Sequence, residues 1–139
     1  MKQFRFRLER VLEYRSLVEK WAKDAYMAAR LATAQAEIGL EGIAAHRHRL
    51  LFQPVEGLNE RRALELTLQH LDDQQQDQEI ALGVLRDEEA ATLAEWQERR
   101  KDLHALEHLR DEALIEWKAE ERHEEQKALD DWTSSRRPA

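Results

Sequence analysis

Proline occurs twice in the 139-residue chain, at positions 54 and 138, and glycine only four times. Turns are built largely from these two residues, so a chain of this length with so few of them cannot supply the turns of an all-β or α/β fold. One short segment, FQPVEGLN from Phe52 to Asn59, holds the single close Pro–Gly pair. Pro54 lacks an N–H and disfavours helix at Gln53, Gly57 offers a turn position, and Asn59 is a good N-cap for a second helix. The segment predicts one bend between two long helices. Helix 1 is expected over about 4–51, the bend over 52–59 and helix 2 over about 60–134, all in one domain spanning 1–139.

The apolar residues repeat with the spacing such helices need. On helix 1 a 4-3 row runs through Phe4, Leu8, Val11, Arg15, Val18, Ala22, Ala25, Ala29, Ala32 and Ala36, all apolar except Arg15. A second row lies beside it: Tyr14, Leu17, Trp21, Asp24, Ala28, Leu31, Gln35 and Ile38. Together they form a broad face with a period of about 3.5, the signature of a left-handed supercoil, and the alanines allow close approach of a partner helix. Helix 2 keeps a matching row through Leu64, Leu68, Leu71, Gln75, Gln78, Leu82 and Leu85, then Trp96, Leu103, Leu106, Ala113 and Trp117. Polar Gln75 and Gln78 weaken that row but help fix its register. The predicted fold is all-α, a long antiparallel two-helix coiled coil with unequal arms.

Folding the helices back on a short loop near residue 55 pairs positions whose numbers total ~110, which sets Phe4 beside residue ~106. Residues 107–134 of helix 2 then overhang by about 42 Å without a partner in the chain. Of the four tryptophans, Trp21 and Trp96 are expected to fill the core near each other. Trp117 and Trp132 fall in the overhang, where an exposed aromatic suggests a docking element.

Charged residues make up 37% of the chain and aromatic residues 6%, too little apolar bulk for a compact globule but enough for a thin helical seam. A net charge of −7 argues against nucleic acid as the main partner. Absence of cysteine removes disulfides, thiolate metal ligands and thiol nucleophiles. No apolar run is long enough to span a membrane, and the opening MKQFRFRLER has no apolar core of a signal peptide. Charge is uneven: residues 1–23 carry seven bases against three acids, while residues 107–131 carry ten acids against four bases.

No phosphate-binding glycine loop and no serine in a nucleophile context is present. His104 and His108 stand one helical turn apart, but a third fixed metal ligand is lacking. The reading is a non-enzyme without a cofactor or metal, since a helix pair offers no deep pocket in which to shift a pKa.

The residues at both ends carry a resemblance. FRFRLERVLEYR, from Phe4 to Arg15, resembles the opening of the FliJ family of the bacterial flagellar type III export apparatus. EERHEEQKALDDWTSSR, from Glu120 to Arg136, is similar to that family's closing E-x-K-x-L-D-E-x-A-x-x-R pattern, met here by Glu125, Lys127, Leu129, Asp130, Asp131 and Arg136. Asp131 stands where the family has Glu, and Thr133 where it has a small apolar residue.

The resemblance implies an antiparallel coiled coil similar to the central stalk of rotary ATPases. Its paired terminal end would enter the hexameric ring of the export ATPase, and its bend would meet the cytoplasmic domain of the membrane export gate protein. Carried onto this chain, the ATPase-binding tip comprises Arg5, Arg7, Leu8, Arg10, Leu12, Glu125, Lys127, Leu129, Asp130, Trp132 and Arg136. The gate-binding end comprises Ile43, His46, Leu50, Leu64, Leu68 and Leu71. Export chaperones are further implied partners, and the implied location is cytoplasmic, peripheral to the inner membrane at the flagellar base. Two other readings fit the residues alone: a self-associating structural coiled coil, and a small chaperone that holds partner helices.

Overall fold

A computed structural model describes residues 2–136 of the chain. It contains two long helices, α1 (Glu9–Leu51, 43 residues) and α2 (Leu58–Arg136, 79 residues), and no strand among the described residues. The fold is an all-α helical hairpin with unequal arms.

The bend takes its geometry from Gly57, whose φ of 90° lies in the left-handed region that a side chain disfavours. The Gly57 carbonyl accepts the first helical hydrogen bond of α2, from the Arg61 N–H at 3.3 Å. The Glu60 carboxylate accepts the Glu56 N–H at 2.9 Å. Gly57 is therefore the N-cap, and Asn59, expected in that role, lies inside the first turn. Glu60 reaches back to an orphan amide, so a side chain of the first turn satisfies the backbone here in place of an Asn cap.

Contacts divide the chain into two compact units. One comprises Trp21–Gln97 and includes the bend. It holds the three buried residues of the described chain, Thr33, Leu71 and Leu82, each 5% exposed. The seam of α1 here runs through half-buried Ala22, Tyr26, Ala29, Ala36, Leu40, Ile43 and Leu50. Ala25, expected on the seam, gives way to Tyr26, whose ring stacks on Trp96 at 5.6 Å. Trp21, expected beside Trp96, is 57% exposed. The second apolar row points outward throughout this unit, with Leu31 and Ile38 exposed. A two-helix seam buries one row per helix, and α2 selects the alanine row because small side chains let the backbones approach. That approach is visible at Thr33, whose hydroxyl donates to the Ala29 carbonyl at 3.1 Å and reaches the Leu85 carbonyl of α2 at 3.4 Å. Gln75 is half-buried on the seam, whereas Gln78 is exposed.

Register in this unit differs from the short-loop expectation. Arg47 pairs with Asp72 at 2.7 Å, about nine residues further along α2 than a tight loop allows. The cause is the link between the helices. Gln53, Pro54 and Val55 lie along the first turns of α2, sharing a groove with Ala63, Leu64 and Thr67. The link thus runs on past the end of α1 before the chain turns back.

The other unit comprises Met1–Lys20 and Glu98–Ala139. Helix α1 opens at Glu9, not at Phe4, and residues 2–8 form a strap without helical structure. Phe4, Phe6 and Leu8 are half-buried, while Arg5 and Arg7 are exposed, the alternation of an extended chain lying on a surface. The Phe4 ring meets Trp117 at 5.9 Å, where the sequence pairing put residue ~106. Leu12 rather than Val11 continues the seam, and Tyr14 and Leu17 face outward with exposures of 59% and 45%. Trp117 is consequently covered, and the unpartnered part of α2 begins at Arg122 instead of residue 107; every described residue from Arg122 to Arg136 is exposed.

Candidate functional site

The terminal unit contains both segments of the predicted ATPase-binding group. Its first half is the strap and the opening of α1. Arg110 of α2 anchors it twice: its Nε donates to the Glu9 carboxylate at 3.1 Å, and its guanidinium carbon lies 5.8 Å from the centre of the Phe4 ring. Arg15 adds a longer ion pair to Asp102 at 3.4 Å. Leu8 and Leu12 are half-buried and act as packing residues, while Arg5, Arg7 and Arg10 are exposed.

The second half is the single-helix end of α2, which carries exposed Glu125, Lys127, Leu129, Asp130, Trp132 and Arg136. This stretch is helical without tertiary cover, so local pairs must support it. Gln126 donates to Asp130 at 3.1 Å, and Arg136 sits over the Trp132 ring at 4.3 Å. Both are one-turn pairs on a helix surface. Leu129 and Trp132 remain 58% and 55% exposed, large apolar groups held on a charged rod. Between the two halves a groove of about 510 Å³ is lined by Lys2, Trp117, Lys118, Glu121, Arg122 and Glu125.

The residues predicted for the bend sort differently. Ile43, Leu50, Leu64 and Leu68 are half-buried, Leu71 is buried, and His46 is exposed. Most of this group therefore packs the hairpin. The apolar surface at the bend is formed by residues that sequence reasoning missed: Leu51 at 51% exposure, Phe52 at 76% and Leu58 at 66%. Phe52 is steadied by the His48 ring at 4.7 Å. The signal is present in FQPVEGLN, where a turn segment carries apolar residues that a solvated turn would not need.

His104 and His108 each face a carboxylate along their own helix, Glu107 and Glu112, both at 3.1 Å. No group of three or more potential ligands is gathered for a metal ion among the described residues.

A family model described as flagellar FliJ protein matches residues 4–137, nearly the whole chain and both of its FliJ-like end segments. The chain belongs to the flagellar FliJ family. Searches of curated proteins and of solved structures each return no match. Membership makes the protein a component of the flagellar export apparatus. The two end segments, far apart in sequence, fall in the same unit of the fold. Among the described residues no helix is long and apolar enough to cross a membrane.

Proposed function

We propose that this FliJ-family protein is a non-enzymatic stalk and coupling component of the export ATPase complex, linking the ATPase ring to the export gate. The observation that carries the reading is the exposed run Arg122–Arg136. It is one helix wide and about 22 Å long, a shape suited to entering the central opening of a ring. Leu129 and Trp132 provide apolar anchors there, and aromatic anchors dominate many interfaces. Arg5, Arg7, Arg10, Glu125, Lys127, Asp130 and Arg136 surround them with charge of both signs, which favours orientation and association rate. Leu8 and Leu12 support this end from the seam.

The proposed gate contact is the bend, with Phe52, Leu58 and His46 on its surface and Ile43, Leu50, Leu64, Leu68 and Leu71 holding them in place. The protein would sit in the cytoplasm beside the inner membrane, where export chaperones would also meet it.

The test is a chain lacking residues 122–139, compared with the full chain for helicity, melting and stimulation of the purified flagellar export ATPase. The truncated chain should melt within a few degrees of the parent, because the lost helix packs on nothing described, and it should no longer stimulate the ATPase. Full stimulation by the truncated chain would remove the assignment of this end.

A further inference from the structure

The proposed insertion leaves open what the arginines of the terminal unit are for. A groove of about 480 Å³ is bounded by Arg5, Arg7, Arg10, the Glu9–Arg110 pair and the edges of Phe4 and Phe6. Arg110 is already committed, donating to Glu9 at 3.1 Å. Arg5, Arg7 and Arg10 are exposed and make no ion pair or side-chain hydrogen bond among the described residues. This contrasts with the half-buried Arg15, Arg47 and Arg110, each of which has a carboxylate partner on the facing helix.

Three unpaired guanidiniums on one groove repel one another, and a flexible surface segment would spread them. Here the backbone holds them. Phe4 is fixed on Trp117, Phe6 is half-buried, and the Phe6 carbonyl accepts the Glu9 N–H at 3.2 Å where the strap turns into α1. Alternation along the strap then directs Arg5 and Arg7 to the same side, away from α2, and Arg10 follows on the first turn of the helix. Guanidinium forks recognise carboxylates bidentately, so the groove has the chemistry of a carboxylate receptor.

We propose that this arginine groove docks a short acidic segment of a partner protein, one bearing several Asp or Glu side chains. Deepening the stalk reading and resting on it, the proposal assigns that segment to the inward-facing part of the ATPase ring. A long polyanion fits less well. The α2 segment that passes the strap and continues beyond it carries ten acids against four bases over residues 107–131, which repels an extended phosphate backbone or an anionic membrane but leaves room for a few carboxylates on the groove itself.

The experiment uses the full chain in two arms. In the first, fluorescence anisotropy measures binding of labelled hexaglutamate and labelled hexaglutamine. In the second, the purified flagellar export ATPase ring is the ligand, with phosphatidylglycerol vesicles measured alongside it. Variants are the triple Arg5→Glu/Arg7→Glu/Arg10→Glu, the triple Arg→Lys at the same positions, and the chain lacking residues 122–139, with helicity and melting recorded for each. The groove predicts that hexaglutamate binds and hexaglutamine does not. The Glu triple should lose about tenfold or more in affinity for both hexaglutamate and the ring, with unchanged helicity and melting, and the Lys triple, which keeps the charge but not the fork, should fall between the parent and the Glu triple. The truncated chain should still bind hexaglutamate. Hexaglutamate binding that depends on the arginines, with no ring binding by the parent chain, would uphold the groove chemistry and overturn the stalk reading. Equal binding of hexaglutamate and hexaglutamine, equal affinity of the parent and the Glu triple, or stronger binding to phosphatidylglycerol vesicles than to either acidic ligand would overturn the groove.

Discussion

The unit that contains the bend and the unit that contains both termini use the same helices in different ways. Between Trp21 and Gln97 the hairpin is knit by small residues and three buried side chains, Thr33, Leu71 and Leu82. In the terminal unit no described residue is buried, and the contacts include an aromatic pair, the ion pairs of Arg15 and Arg110 and an extended strap beside a half-buried apolar row. Close packing gives stability in proportion to apolar area removed from water, whereas half-exposed aromatic and ionic contacts give less and open more easily. The comparison teaches that the bend unit is the stable body of the molecule and the terminal unit the adaptable one, with unsatisfied surface on Arg5, Arg7 and Arg10 and on the end of α2.

Substitutions can break that contrast in order of size. The largest effect should come from Leu82→Ala, which deletes a buried side chain and should cost about 2–4 kcal/mol in denaturant unfolding. Ile80→Ala, two residues away and 64% exposed, should cost under about 0.5 kcal/mol in the same measurement. Equal losses would mean that burial does not set stability in this unit. Trp117→Ala comes next. It removes the strap's anchor and should cost about 1–3 kcal/mol, because Trp117 is only half-buried. By hydrogen exchange the effect should be confined to residues 9–20 and 98–121, with the amides of the bend unit unchanged.

At the bend, Leu68→Asp and Phe52→Asp separate packing from docking. The first should unfold or strongly destabilise the chain, since a half-buried seam position cannot hold an unpaired charge cheaply. The second, at a position 76% exposed, should leave melting intact while weakening binding to the gate protein's cytoplasmic domain. Smallest of all, Arg47→Ala removes an exposed ion pair and should cost about 0.2–1 kcal/mol at low salt, the difference vanishing in molar salt. A salt-independent loss would point to the packing of the Arg47 stem instead.

Much of the fold is legible in the sequence. The Pro54–Gly57 segment locates the bend, and the 4-3 spacing of Leu64, Leu68, Leu71, Leu82 and Leu85 marks the seam of α2. Helix α1 is harder because it carries two apolar rows. Nothing in α1 alone distinguishes Tyr26 from Trp21 as the residue that turns inward; the choice is made by Trp96 and the leucines of α2. Register is not legible, because it depends on the path of the link: a tight loop gives one pairing, whereas the link through Pro54 and Val55 runs on along α2 and gives another. The strap has its own signal in FRFR, which alternates with period two as an extended segment does, but Phe4 and Leu8 also fit the helical row and mask it. Of the candidate site, the charged and aromatic end of α2 is readable from composition. The apolar bend surface at Phe52 and Leu58 is only partly so: FQPVEGLN shows apolar residues in a turn, but their exposure depends on where the link lies.

The central claim is that the terminal unit, and not the stable body, meets the ATPase. Hydrogen exchange of the full chain, free and bound to the purified export ATPase ring, tests it most directly. The account predicts new protection at residues 2–10 and 122–136, with residues 21–97 exchanging at the same rates in both states. New protection concentrated at the outward row of Leu31 and Ile38, with residues 122–136 exchanging as fast as in the free chain, would contradict it.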